Sequence, residues 1–159
     1  LELIDEEIYG GTAGCLSILE GEIGNDPFLV TNCDIVANCG YQSLLDWHKQ
    51  READLTILGV RKKMDVPYGV VQVNKESYVT IVEEKPSFNH VIVSGIYVLN
   101  PSVLELIPKD EPMGMDLLIT KLLDNNRKVT CYPIEGGWFD IGQFDEYKKL
   151  VSHLENPNE

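Results

Sequence analysis

The stretch Pro27-Phe28-Leu29-Val30-Thr31-Asn32 is an apolar run of strand length that ends at Asp34. Such a run reads as a strand buried on both faces of a parallel sheet. From Tyr41 to Gln50 the residues Leu44, Leu45, Trp47 and His48 recur near helical spacing, and Asp54 to Arg61 follows as a further strand through Leu55, Ile57, Leu58 and Val60. A strand, helix and strand in this order favour parallel pairing and an α/β chain. Residues 69–73, 78–83 and 91–99 then read as three strands with no room for helices between them, so this middle section is expected to be antiparallel or mixed.

Around this centre, Leu1 to Glu6 reads as a short strand, broken by Tyr9-Gly10-Gly11-Thr12 before a helix from Ala13 to Leu19 with Thr12 as its cap. Pro101 opens a short helix through Ile107, a second helix is expected from Met115 to Leu123, and Lys128 to Tyr132 returns as a strand. A last helix should run from Phe144 to Leu154. The 159 residues suit one domain, residues 1–159, with a sizeable core. The chain starts inside a strand pattern with no initiator Met, and is expected to be cut from something longer.

The formal net charge of −13 repels polyanions, which argues against nucleic-acid and membrane partners. No apolar run approaches the roughly 20 residues of a membrane-spanning helix, and a cytoplasmic location is expected. Cys15, Cys33, Cys39 and Cys131 form no C-x-x-C pair, and free thiols are the simplest account, with a Cys33–Cys39 disulfide left open. His48, His90 and His153 share no spacing that suggests a metal site or a triad, and are read as structural.

Four features could carry chemistry. Gly10-Gly11-Thr12-Ala13-Gly14 is either a plain strand-to-helix turn or a cradle in which a ligand approaches backbone N–H groups. Asp34 and Asp140 each follow a candidate strand, where ligands gather in open α/β sheets. Converging, they would hold Mg2+ through oxygen ligands and leave its other positions to water and phosphate; otherwise each is a turn cap. In Glu83-Glu84-Lys85-Pro86, the lysine is either a point charge for a phosphate or part of a salt-bridged surface loop. The fourth is Trp138-Phe139-Asp140-Ile141-Gly142.

Taken in order, these segments resemble the sugar-phosphate nucleotidyltransferase (NDP-sugar pyrophosphorylase) family. Gly11-Thr12-Ala13-Gly14 resembles its nucleotide-side turn, Phe28 to Asp34 its strand with a metal-binding aspartate, and Val66-Pro67-Tyr68-Gly69-Val70-Val71 its sugar-bordering segment. Glu84-Lys85-Pro86 matches its EKP signature, Ser94 to Leu99 its next strand, and Trp138 to Gly142 its W-x-D-I-G ending. The resemblance implies a Rossmann-like three-layer α-β-α fold of nucleotide-diphospho-sugar transferase type, with a mixed, mostly parallel central sheet, truncated at the amino terminus. It also implies Asp34, Lys85 and Asp140 as catalytic residues, with Asp34 and Asp140 holding Mg2+. Gly11, Thr12 and Ala13 would lie at the nucleotide, and Tyr68, Gly69, Glu84, Ser94 and Gly95 at the sugar.

The reaction so implied joins a nucleoside monophosphate from a nucleoside triphosphate to a sugar 1-phosphate, with pyrophosphate leaving. Cys33 stands where the family usually has Gly, as in a bacterial branch that handles mannose or amino-sugar phosphates with GTP, which makes GTP the expected nucleotide. Val93-Ser94-Gly95 replaces the usual Asn-Ala-Gly and removes a hydroxyl contact at Val93. The family's glycine-rich loop with its arginine precedes the region where this sequence begins, so this piece alone is expected to release no pyrophosphate. The other reading is a non-catalytic sugar-nucleotide sensor or regulatory subunit of the same fold. A homo-oligomer is compatible with either.

Overall fold

The computed structural model describes residues 3–6 and 9–155. Its centre is a four-stranded sheet composed, in spatial order, of β1 (Phe28–Thr31), β6 (Ser87–Leu99), β3 (Leu55–Asp65) and β7 (Val129–Glu135). β3 pairs parallel with β7, while β1 and β3 both pair antiparallel with β6. The sheet is therefore mixed, and β1, β3 and β7 share one direction. Two smaller antiparallel sheets accompany it: β2 (Ile35–Ala37) with β8 (Trp138–Asp140), and β4 (Val70–Val73) with β5 (Val79–Glu83).

Helices cover both faces, and strand alternation shows why. Leu55, Tyr97 and Leu99 meet Val103 and Leu104 of the 3-10 helix Pro101–Leu106, together with Met115, Leu118 and Leu122 of helix α3 (Met115–Asp124). Their neighbours Leu58, Ile96 and Val98 point the other way, onto Leu44 of α2 (Tyr41–Gln50). The result is the three-layer arrangement that the family resemblance implies. The short α1 (Gly11–Gly14) and the final α4 (Phe144–Glu155) complete the helices. α2 and α3 stop where Glu52 and Asn126 take positive φ, +48° and +54°, the left-handed ending common at helix C-termini.

Four expectations change. Residues 3–6 carry no strand, and residues 1–2 lie outside the described part. The Ala13–Leu19 helix is instead α1 continued by a 3-10 turn over Cys15–Leu19. Thr12 does not cap it: Thr12 Oγ1 accepts the Met115 N–H at 2.9 Å and so caps α3 across the fold. β1 is not buried between parallel neighbours but lies at the sheet edge against β6, and β6 also separates it from β3. The apolar run was legible as a strand; its place was not, because a long returning strand contributes more ladder hydrogen bonds than local order predicts. All four cysteines are free.

His48 is buried, 1% exposed, and structural as expected. Asn100 donates through Nδ2 to the Ala53 carbonyl at 2.7 Å, so its Oδ1 accepts from His48 Nε2 at 3.2 Å. His48 Nδ1 is then the acceptor for the Thr56 hydroxyl at 2.8 Å. Burial pushes the imidazole below its ordinary value, against the opposing effect of Asn100. A base with a lowered folded pKa contributes stability that is complete above its unfolded value of about 6.5 and is lost as pH falls below it. Urea midpoints should therefore drop from pH 7.5 to 5.5, and His48→Gln, although less stable at neutral pH, should show a smaller drop.

Candidate active site

The site is organised by a bulge in β6. Ile57 pairs with Tyr97 and Gly59 with Val93, so Ser94, Gly95 and Ile96 stand opposite Leu58 alone. Bulges of this kind bend a strand and re-aim its neighbours. Gly95 takes φ +85° here, and a Cβ on it would lie 2.9 Å from Asn32 Nδ2, so the glycine is required. The Asn32 N–H donates to the Gly95 carbonyl at 2.9 Å, Trp138 Nε1 to the Ser94 carbonyl at 2.9 Å, and the Ile96 N–H to Ser94 Oγ at 3.0 Å. The end of β1 and the start of β8 are thus tied to one kink.

β2 and β8 then bring the two aspartates together. Ile35 faces Asp140 across this ladder, and the Ile141 N–H donates to the Asp34 carbonyl at 2.9 Å. A Cβ on Gly142 would stand 2.9 Å from Asp34 Oδ2 and 3.2 Å from Asp140 Oδ1. Both carboxylates therefore border one small gap that exists because residue 142 has no side chain. Asp140 is held by the Gly142 N–H at 3.2 Å and by Gln143 Nε2 at 2.8 Å. It does make the turn-capping bonds of the plainer reading, while still presenting Oδ1 to the gap. Asp34 has no hydrogen-bonded partner for its carboxylate among the described residues.

Two like charges facing one gap repel, and a divalent cation would offset that repulsion. Among the described residues no group of three or more His, Cys, Asp or Glu is placed to hold a metal. The protein offers two carboxylates, a sparse oxygen ligand set of the kind that could hold a Mg2+ whose other positions are filled from outside the protein.

A second neighbourhood forms at the root of the β4–β5 hairpin. A Cβ on Gly69 would lie 3.1 Å from Glu84 Oε2, so Tyr68-Gly69 and Glu84 lie together, with Tyr68 74% exposed. Pro86 accepts the Val66 N–H at 3.0 Å and closes this turn. Lys85 within it takes φ +46°, a conformation that costs a lysine about 1 kcal/mol or more. No hydrogen bond or ion pair among the described residues joins Lys85 to Asp34 or Asp140.

Gly11, Thr12 and Ala13 occupy a third place, docked on the chain before α3. The N–H groups of Ala13 and Gly14 both donate to the Met113 carbonyl, at 2.9 and 3.0 Å, and a Cβ on Gly11 would lie 2.7 Å from that oxygen. These donors are spent inside the protein rather than offered to a phosphate. Ser94 is likewise turned inward, 1% exposed. Sequence reasoning passed over three residues that border the acid pair or its support: Asn32, Gly142 and Lys62, whose Nζ lies 5.2 Å from the Trp138 ring centre. Gly142 was already visible as the last letter of its motif, and Lys62 as the middle of three consecutive cations in an acidic chain.

The pattern of the nucleotidyl transferase family matches residues 2–156. The mannose-1-phosphate guanyltransferase of Schizosaccharomyces pombe is 33% identical over 143 residues, which cover 86% of this chain and 39% of that protein. Its Aspergillus fumigatus counterpart is 36% identical over 141 residues, 84% of this chain and 38% of that protein. The chain spans about two fifths of the length of these relatives. Among solved structures, HddC from Yersinia pseudotuberculosis complexed with GMP-PN matches with a TM-score of 0.68 and 23% identity, over 95% of this chain and 65% of that one. Since the family pattern runs across almost the whole sequence and the solved neighbour has the same fold, this chain belongs to the nucleotidyl transferase family.

Proposed function

We propose that the protein containing this chain transfers a nucleoside monophosphate from a nucleoside triphosphate, GTP in the first place, to a sugar 1-phosphate, forming an NDP-sugar and pyrophosphate. The observation that carries this reading is the pair Asp34 and Asp140 facing one gap at Gly142. The relatives' names support guanylyl transfer and a mannose-type sugar phosphate. Mg2+, held by those carboxylates, would neutralise charge on the phosphate oxygens.

In this scheme the sugar phosphate supplies its own nucleophile, and the protein acts by placement and charge. Gln143 and the Gly142 N–H orient the Asp140 carboxylate. The hairpin root presents Tyr68, Gly69 and Glu84 to the sugar, where a carboxylate beside a glycine can accept hydroxyl protons at close range. Lys85 places a point charge at the phosphate from a backbone conformation that its own side chain does not favour. Gly11, Thr12 and Ala13 serve the base side through shape, the Ala13 amide being engaged by the Met113 carbonyl.

Gly142→Ala tests the gap directly. Alanine needs no unusual φ there, so the fold should persist, with an unchanged circular dichroism spectrum. The added methyl intrudes between the carboxylates, and Mn2+ affinity, read by titration, should fall about tenfold or more. Affinity equal to that of the unaltered chain would remove the metal-site reading.

A further inference from the structure

A cavity of about 400 Å³ lies against the paired strands β3 and β6, with Arg61, Lys62, Lys63, His90 and Glu135 in its lining. In a chain of 26 acidic and 13 basic residues, Arg61, Lys62 and Lys63 are three consecutive cations, with His90 paired opposite Lys62. Two of the cations are already neutralised: Arg61 meets Glu135 at 3.0 Å and Lys63 meets Asp65 at 3.1 Å. Lys62 has no acidic partner among the described residues. It rests on the face of Trp138, an interaction that holds an ammonium in place without cancelling its charge.

Trp138 and Asp140 are two residues apart on β8 and so leave the same face of that strand. The indole on which Lys62 rests therefore stands on the same face of β8 as the Asp140 side chain. Resting on the transferase reading above, we propose that Lys62, steadied by Trp138, is a phosphate-binding residue of this site, taking the phosphate oxygens of a substrate that also reaches Asp34 and Asp140. Its phosphate belongs either to the sugar 1-phosphate or to the triphosphate tail, and the two share the same chemistry. An anion there would also balance the charge of Lys62, the one cation of the three without an acidic partner among the described residues.

Two measurements test this. In a Trp47→Phe version of the chain, Trp138 is the one remaining tryptophan, and withdrawing an ammonium from its ring should change its fluorescence. Titration with inorganic pyrophosphate in the absence of divalent cation should give a saturable change that Lys62→Gln abolishes and Lys62→Arg preserves. In the complete enzyme, Lys62→Gln should raise KM for one phosphorylated substrate about tenfold with kcat within about twofold; which KM moves identifies the source of the phosphate. A pyrophosphate response that survives Lys62→Gln, or both KM values unchanged, overturns the assignment. The metal-free titration does not depend on turnover, so it can succeed even where the transferase reading fails.

Discussion

Asp140→Asn in the full-length protein is expected, on the proposed transfer reaction, to lower kcat by about a hundredfold or more, and Asp34→Asn by a similar factor. In the proposed reaction, removing one carboxylate would weaken the hold on a cation that would balance charge growing on the phosphates, and single groups of that kind are worth roughly a hundredfold or more in rate. The fold should survive. An asparagine at 140 keeps the Oδ1 that accepts the Gly142 N–H and loses only the bond from Gln143 Nε2, a change of about 1 kcal/mol in a half-exposed turn. Pyrophosphate release and the denaturant midpoint, measured on the same samples, separate the two effects. A sensor of the same fold would behave otherwise: its affinity for an NDP-sugar would shift only modestly. Near-normal turnover in both variants would show that the gap at Gly142 is not where the reaction is driven.

The elements that sequence reasoning located well are those whose signal is local. α2, α3 and α4 each carry an apolar face at helical spacing, and β4 and β5 are two short runs with a turn between them. The failures are of a different kind. Nothing near Phe28–Thr31 announces that β6 will come back between it and β3, because that pairing is decided some sixty residues later by a strand long enough to serve two neighbours. The bulge at Ser94–Ile96 is equally silent, since its only local trace is a glycine that could have been any turn. Thr12 was read as a cap and is one, but for a helix about a hundred residues away, since hydroxyl chemistry specifies a donor without saying which. The acid pair was legible as two strand-ending aspartates; that they share one gap required Gly142, whose meaning lies in an absent side chain.

The packing that supports this arrangement should be as sensitive as the chemistry. Leu58 is fully buried and lies in the cluster with Leu44, Ile96 and Val98, against which Ile35 also packs. Leu58→Ala should cost about 2–5 kcal/mol, from lost transfer energy and the cavity left behind. That is a large fraction of the roughly 5–15 kcal/mol typical of whole domains. Leu118→Ala, equally buried on the opposite face, should cost about the same. Their consequences for the site should differ. Ile96 belongs to the bulge and Ile35 directly follows Asp34, so a cavity at residue 58 loosens both supports of the acid pair, whereas one at 118 lies under α3. Measured well below the melting transition, Leu58→Ala should bind Mn2+ more weakly than the unaltered chain, and Leu118→Ala should match it. Leu58→Met, which keeps the volume, should lose less than about 1.5 kcal/mol and retain the metal affinity. Equal metal binding in Leu58→Ala and Leu118→Ala would mean that the β2–β8 ladder holds the carboxylates without help from the core beneath the bulge.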